Sequence, residues 1–118
     1  MPPRATPRHS PVWDGSVLET LFGGDTTLVR SVVHTFLESM RGNMANLVSA
    51  AAAGELRDVA DLAHRIKGAS RMSGALALAQ AAEELEQLAR YQAGAAPMLS
   101  GVAWLHREWE RVQEACAP

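Results

Sequence analysis

The spacing of apolar residues is the feature that most constrains the fold of this chain. Through most of its length they recur at steps of three and four, the period of a helix with one buried face. The longest such stripe runs through Val29, Val32, Phe36, Met40, Met44, Leu47 and Ala51. Alanine is frequent, at 21 residues, while valine, isoleucine and threonine together number 15, which favours helix over sheet. The pattern predicts an all-α protein.

Glycines and capping residues divide this pattern into helices. Ser16 and Glu19 have the spacing of a capping box, which predicts the start of a short first helix. Asp25 is the predicted N-cap of the next helix, and Gly54 its end. Helices are predicted over 16–23, 25–53, 55–72 and 75–92, and a last helix with Pro97 in its first turn extends to near the C-terminus. Four long amphipathic helices with short connections predict an up-down four-helix bundle with a short additional N-terminal helix.

The first eleven residues differ in composition from the rest of the chain. They hold four of the six prolines and little that could be buried. We therefore predict a flexible proline-rich tail over 1–11 and a single helical domain over 12–118. The tail lacks the apolar segment of a signal peptide, and no apolar run approaches the roughly 20 residues that span a bilayer. A cytoplasmic protein that does not bind membranes is expected.

Charge, cysteine and histidine content exclude several classes of function. A net charge of −2, from 11 basic and 13 acidic residues, does not give the basic surface typical of nucleic-acid binding. The single cysteine, Cys116, can form neither an internal disulfide nor a metal cluster. No metal site is predicted, because His34, His64 and His106 lack the spacing of a helical metal pair. His34 and His106 are expected to be ordinary surface residues.

The helix predicted over 55–72 contains residues that a bundle does not need. At about 100° per residue, His64 lies roughly 120° from the centre of the inner face, so its imidazole should face outward. Gly68 is costly inside a helix and leaves open space one turn after His64. Lys67 is the only lysine among 11 basic residues, and its ammonium can reach a group attached to the imidazole. The same outer sector contains Arg57, Asp61 and Arg71.

The chemistry of these residues suits a phosphoryl acceptor. An uncharged imidazole has a nucleophilic nitrogen, and Lys67 and Arg71 would stabilise an anionic adduct of His64. The sequence shows no glycine-rich phosphate loop, no paired carboxylates around His64 and no Ser/His/Asp arrangement. The cluster can thus carry a phosphoryl group, whereas activating one would need a partner.

The residues around His64 resemble the signature of histidine-containing phosphotransfer (HPt) domains. That signature has Ala-His, then Lys-Gly three and four residues after the histidine, then Gly-Ala ten and eleven residues after it. The chain matches it with Ala63, His64, Lys67, Gly68, Gly74 and Ala75. Residues in the flanking helices also fit: Gly24, Asp25, Leu28, Phe36, Leu78, Ala82, Leu85 and Glu86. The resemblance covers about residues 13–115, and it departs from the family's usual residue types at Arg71 and Ser73.

The resemblance implies a helical bundle that relays a phosphoryl group between receiver-domain aspartates in multistep two-component signalling. Carried onto this chain, His64 would be the phosphoacceptor, Lys67 would stabilise the phosphoryl group and Gly68 would admit the receiver. The docking face would include Arg57, Asp61 and Arg71. The chain would be a relay intermediate rather than an enzyme, with no cofactor of its own, because Mg²⁺ would belong to the receiver.

The expected partners are the receiver domains of a hybrid sensor histidine kinase, of a response regulator, or of both. The chain itself is expected to be a monomer. Two other classes share parts of the pattern. Histidine kinase dimerisation hairpins have an acidic residue directly after the histidine and Thr or Asn three residues further on, positions held here by Arg65 and Gly68. A helical adaptor that docks receivers without phosphotransfer is the alternative that stays open.

Overall fold

The computed structural model describes residues 10–116, and this part of the chain is helical without a strand. Its helices are α1 (Ser16–Leu21), α2 (Thr26–Ala52), α3 (Leu56–Ser73), α4 (Leu76–Arg90) and α5 (Ala95–Ala115). Each long helix packs mainly against its neighbours in sequence, and α3 and α4 pack most extensively. This is the predicted up-down four-helix bundle with a short N-terminal helix.

The core of the bundle comes from the predicted apolar stripes. Its largest fully buried apolar side chains are Met40, Leu47, Val59, Ile66, Leu78, Leu85, Leu105 and Val112. Alanines of α3 and α4, among them Ala63, Ala81 and Ala82, are also fully buried, and their small side chains let these two helices approach closely. No helix in the described part of the chain is long and apolar enough to cross a membrane.

The helix ends confirm most of the predicted caps and correct one. Asp25 Oδ1 accepts a hydrogen bond from Leu28 N at 3.0 Å, and Gly54 follows α2 with a left-handed φ of 73°. The predicted capping box of Ser16 is wrong, since Ser16 lies inside the first turn of α1. The carboxylate of Asp14 accepts instead from Ser16 N at 3.0 Å and Ser16 Oγ at 2.7 Å, as in an Asx turn.

The start of α5 confirms the predicted position of Pro97. The helix begins at Ala95, and Pro97 lies in its first turn. Proline is tolerated there because the first backbone N–H groups of a helix have no partner within the helix.

The residues that precede α1 form hydrogen bonds with the turn between α3 and α4 and with the start of α4. Asp14 N donates to Gly74 O at 2.8 Å, and Ala77 N donates to Pro11 O at 2.9 Å. Ser10 Oγ donates to Gln80 Oε1 at 3.0 Å. The flexible tail over 1–11 stays a prediction, because residues 1–9 lie outside the described residues. The segment from Ser10 to Asp14 connects the start of the domain to the α3–α4 turn.

Gly74 is required at this turn for two reasons. Its φ of 99° is in the left-handed region that side chains rarely adopt. A Cβ at this position would also lie 2.4 Å from the carbonyl oxygen of Asp14. The break predicted at Ser73-Gly74 is therefore a turn that only glycine fits.

We expect Gly74→Ala to lower the free energy of unfolding by about 2–4 kcal/mol, through backbone strain and loss of the hydrogen bond from Asp14. Urea denaturation followed by circular dichroism measures the change. Gly42→Ala is the matched control, because Gly42 lies in α2 with open space around it. This variant should have a free energy of unfolding about 1 kcal/mol higher than the wild type. Equal stability of the two variants would contradict this account of the turn.

Candidate functional site

Helix α3 presents His64 on the outside of the bundle. The imidazole side chain is 63% exposed, as its angular position predicted. Gly68 lies one turn later, and a Cβ built there would meet nothing within 4 Å. Because nothing packs against Gly68, close helix packing does not explain the glycine. Open space therefore lies beside His64, toward the C-terminal end of α3.

Helix α4 places a buried carboxylate beside this exposed imidazole. Glu86, whose side chain is only 7% exposed, lies with Oε2 at 3.0 Å from His64 Nδ1. Its other oxygen, Oε1, is 2.8 Å from Lys67 Nζ. Arg90, one turn later on α4, contacts Oε2 through Nε at 3.1 Å and through its terminal nitrogen at 3.0 Å. One carboxylate therefore connects the histidine to two cations.

The contact with Glu86 fixes which nitrogen of His64 carries the proton. An ionised carboxylate only accepts hydrogen bonds, so Nδ1 is the protonated nitrogen and donates to Oε2. In the uncharged imidazole the lone pair is then on Nε2. The arrangement leaves a largely exposed ring with an available nucleophilic nitrogen.

The surroundings of Glu86 keep it ionised. Burial by itself raises the pKa of this carboxyl, because it disfavours the charged form. Hydrogen bonds from Lys67, Arg90 and His64, together with the charge of Lys67, outweigh burial and lower the pKa below its ordinary value of 4.5. Glu86 is therefore a stable negative charge within the site.

Lys67 occupies a different position from the one its sequence spacing suggests. The spacing predicted an ammonium free to reach a group on His64. The side chain is only 16% exposed, and the ammonium is paired with Glu86 Oε1. Lys67 and His64 are thus neighbours that share one carboxylate, and a role of Lys67 toward a phosphoryl group stays a prediction.

Two of the other predicted site residues form ion pairs with groups other than His64. Arg71 is paired with Glu83 of α4, so its charge is balanced away from the imidazole. Asp61 is exposed, with Oδ1 3.8 Å from a terminal nitrogen of Arg90. Arg57 is also exposed and lies with Arg90 along a shallow cleft between α3 and α4. Within residues 10–116, no group of three or more His, Cys, Asp or Glu side chains could hold a metal ion.

The family model described as Hpt domain matches residues 31–115, which include most of α2 and all of α3, α4 and α5. The chain belongs to the Hpt domain family. Hpt domains are carriers in histidine phosphotransfer within phosphorelays, and their partners are receiver domains. A search of curated proteins and a search of solved structures returned no match.

The sequence analysis did not identify two residues of this site as functional. Glu86 lies 22 residues after His64, so no local spacing connects them. Arg90 follows Glu86 by one helical turn. The available signal was the position of Glu86 between the apolar residues Leu85 and Ala89 on the inner side of α4, where an unpaired carboxylate would be costly.

A shallow apolar groove lies beside the site of this Hpt domain, between α1, α2 and α3. Its volume is about 400 Å³, and its lining includes Phe22 and Val32. Leu21 and Met72, at its edge, are 58% and 67% exposed. Ser73, where the family generally has a large aliphatic residue, also lines the groove. Met72 lies one turn after Gly68, so the groove borders the open surface beside His64.

We expect the stability contribution of Glu86 to depend on pH. Since its pKa is lowered on folding, the contribution is complete above the ordinary value of 4.5 and is lost as the pH falls through the lowered value. Glu86→Gln should therefore reduce the free energy of unfolding more at about pH 7 than at about pH 3, measured by urea denaturation.

Glu83→Gln is the matched control for this measurement, because it makes the same chemical change at a half-exposed position of α4. Equal losses for Glu86→Gln at the two pH values would contradict the ionised, charge-paired state of Glu86.

Proposed function

We propose that this Hpt domain is a phosphotransfer protein of a multistep two-component phosphorelay. His64 accepts a phosphoryl group from a receiver-domain aspartate and passes it to another receiver. The observation that carries the proposal is the exposed imidazole of His64, whose Nδ1 is held by the buried carboxylate of Glu86. This contact leaves Nε2 available as the nucleophile.

The transfer step follows from the protonation of His64. The Nε2 lone pair attacks the phosphorus of the receiver's aspartyl phosphate, a nitrogen–phosphorus bond forms, and the bond from phosphorus to the aspartate oxygen breaks. The aspartate leaves with the electron pair as a carboxylate. Nδ1 keeps its proton, so the positive charge that develops on the ring lies beside Glu86. Transfer to a second receiver reverses these changes.

The groups around His64 indicate which parts of the reaction this chain supplies and which the receiver must supply. This chain supplies the nucleophile and the group that orients it, and we expect Lys67 to be the cation that it offers to the phosphoryl group. The receiver supplies the reactive aspartate and, we expect, the Mg²⁺ that neutralises charge on the phosphoryl oxygens. We therefore assign this chain the role of a relay intermediate that needs no cofactor of its own.

The surface around His64 has the features needed to dock a receiver. Gly68 leaves room for the edge of the receiver's cleft, and the apolar groove beyond it offers exposed Leu21 and Met72. On the same outer sector, Arg57 and Asp61 supply exposed charges of both signs. Because one histidine must serve two partners in turn, we expect weak and short-lived complexes with a small interface.

We expect His64→Gln to abolish transfer of a radioactive phosphoryl group from a phosphorylated receiver, because the variant lacks the nucleophilic nitrogen. The label on the wild-type protein should be labile in acid and stable in alkali, as expected for a phosphohistidine. His34→Gln removes another exposed histidine, on α2, and should transfer normally. Receivers that bind without any transfer to the wild type would instead support the adaptor function.

We expect Gly68→Gln to block transfer from a receiver without loss of the fold, because the side chain would fill the open space beside His64. Gly42→Gln is the matched control, since Gly42 is also helical and surrounded by open space but lies on α2. Phosphoramidate, a small phosphoryl donor, should still modify His64 in the Gly68 variant. Normal transfer from the receiver to Gly68→Gln would refute the argument from steric access.

A further inference from the structure

The two oxygens of Glu86 have different partners, and this difference has a consequence for phosphohistidine. Oε2 contacts His64 Nδ1 and two nitrogens of Arg90, whereas Oε1 contacts the ammonium of Lys67. Oε1 is buried from solvent. If the Lys67 ammonium moved away to a phosphoryl group, a buried carboxylate oxygen would lose its charged partner in the described part of the chain. Such a loss is unfavourable.

We propose that Glu86 keeps the phosphohistidine of this chain short-lived and ready to transfer. It does so by holding the proton on Nδ1 and by competing with the phosphoryl group for Lys67. The inference rests on the proposed function, because it concerns a phosphoryl group on His64. Glu86 is in this sense a positioning residue that also sets the reactivity of the carrier.

The proton on Nδ1 determines how readily the phosphoryl group leaves. With phosphorus on Nε2 and a proton on Nδ1, the ring is positively charged. When water attacks the phosphorus, the nitrogen–phosphorus bond breaks and its electron pair returns to Nε2, which leaves an uncharged imidazole. Inorganic phosphate is released, and the surplus proton of the water goes to solvent. The carboxylate of Glu86, 3.0 Å from Nδ1, favours the protonated ring and therefore the reactive form.

The competition for Lys67 acts in the same direction. A phosphoryl group on Nε2 is stabilised if the ammonium turns toward it, but Glu86 Oε1 retains that ammonium at 2.8 Å. Arg90 moderates this competition, because its contacts with Oε2 partly neutralise the carboxylate and weaken its hold on Lys67. Removal of Arg90 should therefore strengthen the effect of Glu86.

The test measures the lifetime of phosphohistidine without a receiver. Phosphoramidate loads the protein when Nε2 attacks its phosphorus and ammonia leaves, and phosphorus NMR at constant pH then follows hydrolysis. Glu86→Gln keeps the shape of the side chain and removes its charge. We expect its phosphohistidine to persist about three to five times longer than the wild type's, the factor that corresponds to one partly exposed charge contact.

A double-mutant comparison separates this effect from simple orientation of the ring. Arg90→Ala should shorten the lifetime in the wild-type background and have no effect in the Glu86→Gln background, because its action requires the carboxylate. Glu110→Gln makes the same chemical change at an exposed position of α5; it is the control and should have the wild-type lifetime. If Glu86→Gln unfolds, as circular dichroism would show, Arg90→Ala alone still tests the sign of the effect.

An unchanged or shorter lifetime in Glu86→Gln would overturn the inference, as would an equal effect of Arg90→Ala in both backgrounds. A wild-type protein that phosphoramidate does not modify would overturn it as well, because the inference requires a reactive Nε2. Failure of the proposed function has a different signature. In that case the chemically loaded protein shows the expected lifetimes, but phosphorylated receivers transfer nothing to it.

Discussion

The buried carboxylate of Glu86 is the interaction on which the site of this Hpt domain depends. It lies where α3 and α4 pack most extensively, and it holds His64 and Lys67 of α3 against Arg90 of α4. A lone carboxylate at this depth would be strongly destabilising, and its lowered pKa shows that the two cations and the imidazole more than compensate for burial. The charge contacts that join α3 to α4 are therefore the same contacts that form the site.

This arrangement needs a fixed register between α3 and α4. The register is set at the turn that joins them, where Gly74 adopts a left-handed backbone and accepts a hydrogen bond from Asp14. Buried alanines then let the two helices approach closely enough for the carboxylate of Glu86 on α4 to reach His64 and Lys67 on α3. Residues far from His64 in the sequence thus position its Nδ1 contact.

The site combines a layer of paired charges with an open surface above it. The charged groups beneath the imidazole are mostly buried and paired, whereas His64 and Gly68 face open space. This combination suits a carrier that must orient one nucleophile while leaving it accessible to more than one partner. The proposed competition for Lys67 adds a reason for the carboxylate: a carrier that bound its phosphoryl group too well would not pass it on.

The sequence alone was enough to predict the fold and the exposed part of the site. The three-four spacing of apolar residues predicted the helices, and the angular position of His64 relative to that stripe predicted its exposure. The Lys67 and Gly68 spacing supported the family resemblance, which the family model confirms. These inferences succeed because they depend on positions within a single helix, where spacing along the chain fixes direction in space.

The tertiary structure decided what lies beneath His64 and how the helix ends are made. Contacts between helices depend on their register and distance, so the pairing of Glu86 with His64 and Lys67 has no local spacing that could reveal it. The same limit explains the start of α1, where Asp14 Oδ1 accepts from Ser16 N, the group that Glu19 would bond in the predicted capping box. A sequence specifies which residues share a helix face. Only packing specifies which face they meet, and at this site that choice fixes the protonated nitrogen of the histidine.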